Sequence, residues 1–64
     1  MMLVKLKSVN GNNIAINPRN IVAVYEGEGG HTAQIITDEG GGYYEIAERF
    51  EVALSKINGA LERA

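Results

Sequence analysis

Sixty-four residues without a cysteine make one domain with no disulfide and no thiolate metal site. Eight acidic residues against six basic ones leave a formal charge of −2, which argues against the cationic surface that nonspecific nucleic-acid binding requires. A lone histidine, His31, is too few for the usual all-protein zinc site, and no apolar run is long enough to cross a bilayer.

The first segment, MMLVKLKSV, alternates: Val4 and Leu6 on one face, Lys5 and Lys7 on the other. That period of two predicts a strand. Its apolar residues precede its lysines and no long apolar stretch follows, unlike a secretory signal. Asn10-Gly11 comes next, and Ile14 and Ile16 again share a face. Asn-Gly between apolar runs predicts a tight hairpin, because both residues tolerate positive φ. Pro18 lies between Asn17 and Asn20. It donates no hydrogen bond and predicts a bend rather than a central strand.

IVAVYE follows, and strict alternation puts Ile21, Ala23 and Tyr25 on one face and Val22, Val24 and Glu26 on the other. Both faces are largely apolar, so this strand is expected to be covered on both sides. One helix covers one side and a second copy of the chain is the natural cover for the other. Val22 and Val24 are therefore candidate interface residues, and Tyr25 and Tyr43 join them because a tyrosine ring buries area while its hydroxyl stays paired. HTAQIITD reads as a further strand and GYYEI as the last. Tyr43 and Tyr44 are adjacent and face opposite ways, so one is expected to pack beneath the helix and the other to remain on the surface.

From Ala47 the period changes. Ile46, Phe50, Ala53, Leu54, Ile57 and Leu61 form one helical stripe, with Glu48 and Glu51 in its first turns. Asn58-Gly59 is a candidate stop signal within it. The expected fold is α+β: one small antiparallel sheet of four to five strands, then a C-terminal amphipathic helix packed on one face, all in a single domain spanning residues 1–64.

Two glycine-rich acidic stretches, GEGGH and DEGGG, flank the HTAQIITD strand. A phosphate loop needs glycines that open into a helix. Both clusters lead into strands, neither has a lysine beside it, and Glu26, Glu28, Asp38 and Glu39 would repel an anion. They predict hairpin tips. Those carboxylates and His31 could gather on a metal only if the tips met, but a strand of this length holds them ~20 Å apart. Ser8 and Ser55 have no evident general base. The expectation is a non-enzyme without cofactor or metal.

The run VKLKSVNGNNIAINPRNIVAVYE, continued by QIITDEGGGYYEIAERFEVALSKI, resembles the small flagellar FlbD-like (SwrD) family. Asn10, Gly11, Ile16, Asn17, Ile21, Glu26, Thr37, Gly40, Tyr44 and Ile57 stand in comparable places. The two tips are richer in glycine than that family's pattern. The resemblance implies a small non-enzymatic accessory protein tied to motility, and it transfers no active site.

These observations lead to a non-enzymatic, homo-oligomeric binding or regulatory protein of the cytoplasm, with no membrane insertion. The motive is size as well as pattern. A chain this short buries only ~60% of its unfolded surface, and a core of this size rarely supplies more than ~3–5 kcal/mol without a staple. The alternative is a phage- or mobile-element-encoded protein that sequesters a small-molecule ligand between subunits or blocks a host protein. A nucleic-acid-binding oligomer using Lys5, Lys7 and Arg19 comes third. The protein partner is not legible in the sequence.

Overall fold

In a computed structural model, which describes residues 2–38, 40 and 42–63, β1 (Val4–Lys7) and β2 (Asn13–Ile16) form the hairpin that the Asn-Gly signal predicts. Val4 pairs with Ile16 and Leu6 with Ile14, antiparallel. Gly11 takes φ +90 at the turn. The alternation is as expected: Val4, Leu6 and Ile16 are buried, Ile14 packs against them, and Lys5 and Lys7 are exposed.

Pro18 then opens a 3₁₀ turn over Pro18–Asn20. The Asn17 side-chain oxygen accepts a hydrogen bond from the Arg19 backbone N–H at 3.0 Å. That cap explains the asparagine before the proline: it satisfies a donor that the turn would otherwise leave open. The turn redirects the chain, so β3 (Ile21–Glu26) does not continue beside β2. It pairs instead with β4 (Ala33–Thr37), which pairs with β5 (Tyr44–Ile46).

The expectation of four to five strands in one sheet is thereby corrected. The five strands form two antiparallel sheets, β1-β2 and β3-β4-β5. The sheets touch at one corner, where Ser8 bridges Ile46. Val9 N–H donates to Glu45 O at 3.0 Å and Ala47 N–H donates to Lys7 O at 2.8 Å. Two bonds and one bridge do not extend into a ladder because the chain leaves β5 after Ile46 to begin the helix.

The helix, α1 (Phe50–Arg63), starts later than the period predicts. Ile46 belongs to β5, and at this end of the helix Ala53 N–H donates to Arg49 O at 2.9 Å. Glu48 therefore precedes the helix, where it pairs with Lys56 Nζ at 2.7 Å. Glu51 keeps its place in the first turn. Asn58-Gly59 does not stop the helix, because the apolar pattern carries through it. The buried face is Ala53, Ile57 and Ala60, while Leu61 is exposed. α1 packs on β1, β3 and the 3₁₀ turn. Val4, Leu6, Ile16, Ile35, Ile46, Ile57 and Ala60 make one core between the two sheets and the helix.

The glycine clusters behave as turns. Gly29, Gly30, Gly40 and Gly42 adopt positive φ, while Glu39 and Gly41 lie outside the described residues. Gly27 is needed for a different reason. Its φ is an ordinary −75, but its N–H donates to Thr32 O at 2.8 Å. A Cβ there would sit 2.9 Å from that same carbonyl oxygen and overlap the Thr32 hydroxyl. Gly27→Ala is expected to destabilise the protein by about 1–3 kcal/mol through this crowding. Gly59→Ala adds a Cβ that meets no heavy atom within 4 Å in mid-helix. It is expected to stabilise by ~1 kcal/mol, the usual helix-interior difference between the two residues. Urea unfolding of both variants checks the pair.

Candidate functional site

The candidate interface residues meet on the sheet β3-β4-β5, and one irregularity decides how. Ile21 pairs with Thr37, whereas Ala23 pairs with Ile36. The sum of the paired numbers rises by one, so β3 carries one extra residue at Val22. Such a bulge sets two residues against one and shifts the phase of everything after it. Ile21 and Val24, three apart, therefore share the core side, where both pack against the buried cluster. The alternation expected for IVAVYE is overturned at this point: Val24 lies with Ile21, away from Val22.

Directly paired residues in an antiparallel ladder point to the same side. The row Val24-Ile35-Tyr44 and the row Glu26-Ala33-Ile46 belong to the core side, with Ala33, Ile35 and Ile46 fully buried. The opposite side carries Ala23 against Ile36 and the row Tyr25-Gln34-Glu45. Continuing the register brings Tyr43 beside Ile36. The unpaired Val22 is 63% exposed and absent from the core cluster, which places it on the outer side with Ala23.

The result is an outer face built on Val22, Ala23, Tyr25, Ile36 and Tyr43, with Gln34 central and Glu45 on the β5 flank. Val22, Tyr25 and Tyr43 are each more than half exposed, at 63%, 54% and 57%. Three of the four candidate residues thus share one surface, and Val24 does not belong to it. The sequence reading missed Ile36, whose partial exposure and cross-strand position add it to the same patch. The signal was present in the alternation of Gln34 and Ile36, but only the pairing tells which side of β4 faces the core.

Neither tyrosine of the Tyr43-Tyr44 pair packs beneath the helix; both are exposed. Together with Asn10, Asn12 and Glu45 they border an open concavity of about 470 Å³ where the two sheets meet. The Ser8 hydroxyl donates to the Asn10 side-chain oxygen at its edge. His31, Glu26, Glu28 and Asp38 are exposed at the tips. No helix among the described residues is long and apolar enough to cross a membrane.

Compared with protein-family models, curated proteins and solved structures, the chain finds no significant match.

The two sides of β3 make opposite demands on the same change. Val24→Lys puts an ammonium against Ile35 and the core, and is expected to cost about 3 kcal/mol or more. Val22→Lys stays in water and is expected to cost the isolated subunit less than about 1 kcal/mol. Thermal unfolding of the two variants checks the phase shift, because unbroken alternation would give both the same cost.

Proposed function

We propose that this protein is a non-enzymatic binding module that works as a symmetric homo-oligomer through the outer face of β3-β4-β5. The observation that carries this reading is the clustering of Val22, Tyr25 and Tyr43 in solvent on one side of a sheet whose other side is already core. Exposed apolar residues scattered singly need no explanation, whereas a contiguous patch does. Tyrosine suits an interface, since the ring buries area while the hydroxyl keeps a partner. A two-fold assembly sets the same patch against itself. Gln34 is uncharged at the centre, and Glu45 on the flank can remain in the wet rim.

The resemblance to the FlbD-like family adds an accessory, motility-related role to this reading. The second reading, a protein that sequesters a small ligand, is favoured by the concavity at Tyr43 and Tyr44, whose volume lies in the usual range of ligand sites.

Light scattering at micromolar concentration tests the first reading. A mass of about twice the 6.9 kDa of the chain or more is expected, and Val22→Lys is expected to return it to the single-chain mass with the fold retained by circular dichroism. A monomer mass for the unaltered protein overturns the reading. A thermal-shift screen against nucleotides and metabolites tests the second, because a ligand bound only to the native state raises the midpoint. A screen without any shift removes it.

A further inference from the structure

The start of β1 and the last turns of α1 enclose a groove of about 370 Å³ on a different part of the molecule. Its lining includes Leu3, Lys5, Ser55, Lys56, Gly59 and Arg63 and, among the described residues, no acidic side chain. Half of the chain's six basic residues thus converge here from distant parts of an acidic sequence. Lys56 also contacts Glu48, whereas Lys5 and Arg63 have no ion pair among the described residues.

Beside this groove β1 also presents a backbone edge. In an antiparallel strand successive residues turn their N–H and C=O to alternate sides. Ser8 N–H donates toward β2, to Asn12 O at 2.8 Å, so Val4, Leu6 and Ser8 address β2 while Lys5 and Lys7 address the other edge. β5 answers Lys7 through Ala47 N–H. Beyond Ala47 the chain has left to form α1, and Lys5 has no backbone partner on this edge among the described residues. The helix wall opposite is low, because Gly59 has no side chain and its missing Cβ would meet nothing within 4 Å.

We infer that this groove takes an extended acidic segment of a partner protein, which pairs with the β1 edge at Lys5 and sets its carboxylates against Lys5, Lys56 and Arg63. A small anion would engage the cations but leave the Lys5 donor and acceptor to water. An extended peptide answers both, by the strand-addition mode in which main-chain bonds give affinity and side-chain contacts give specificity. The inference is independent of self-association through the outer face.

The probe is an end-capped peptide of about six residues, a usual strand length, alternating Glu and Val. It is followed by amide NMR shifts on the intact chain, with light scattering in parallel to report assembly separately. Shifts at Leu3, Lys5, Ser55 and Gly59 are expected. Binding is expected to weaken at least tenfold for Arg63→Glu, for Lys5→Glu, and for the same peptide N-methylated on alternate amides. All three changes leave the core untouched, since Lys5 and Arg63 are exposed. Absence of binding, shifts located elsewhere, equal binding of a Lys-for-Glu peptide, or equal binding after N-methylation overturns the inference. So does inorganic phosphate that reproduces the same shifts at the same affinity.

Discussion

The extra residue of β3 opposite Ile36 governs the shape of this protein more than any other feature. Without it, Ile21 and Val24 could not both reach the core, because residues three apart in a regular strand point to opposite sides. With it, both pack against the cluster around Ile35. Val22 and Tyr25 are left outside. The bulge therefore makes one face of the sheet serve as core and leaves the other apolar enough to need a role. It does so within a strand whose sequence, apolar on both sides, allows either phase.

A second constraint follows from how little the two sheets share. Among the described residues, the backbone pairing between the two sheets is confined to Lys7, Ser8 and Val9 against Glu45, Ile46 and Ala47. Longer pairing would close β1 completely and leave no free edge. Because β5 is short and the chain turns away into α1, the N-terminal half of β1 faces the helix across a groove instead of a strand. Free edges invite unwanted pairing, and natural sheets restrain them by keeping them short and charged. Lys5 fits that restraint, and it also gives the edge a positive sign.

Much of the architecture was legible in the sequence because it depends on local chemistry. Asn10-Gly11 marked the first hairpin, Pro18 the break, and the four-three spacing through Ala53 and Ile57 the helix. The errors have one cause. Whether Val24 shares a side with Val22 depends on where β4 pairs, and nothing within IVAVYE encodes an inserted residue. Whether Ile46 ends a strand or starts a helix depends on Ala33, its partner across the ladder. The two-sheet arrangement likewise turns on where the 3₁₀ turn sends the chain. For the candidate site, Val22, Tyr25 and Tyr43 were visible as apolar residues of strands. Ile36 joined them only through register, and the cationic groove was invisible because Lys5, Lys56 and Arg63 are brought together by the packing of α1 on β1.

The molecule does not need a partner merely to be compact. Its radius of gyration of 10.7 Å is about the ~11 Å that a globular chain of this length adopts. The core residues around Ile35 and Ile46 are enclosed by the subunit's own sheets and helix. The case for association therefore rests on what is exposed rather than on how much. An apolar, tyrosine-bearing outer face and a cationic groove with an open strand edge are chemically unlike each other and built from different elements. An uncharged apolar face carries no bar to meeting a copy of itself, whereas a cationic one does, since like charges repel. The two proposed roles therefore do not compete for the same residues: self-association would use the outer face of β3-β4-β5, and an acidic segment would use the groove between β1 and α1. If both held, each subunit of an assembly would present one groove, and repeated sites strengthen weak contacts when engaged together.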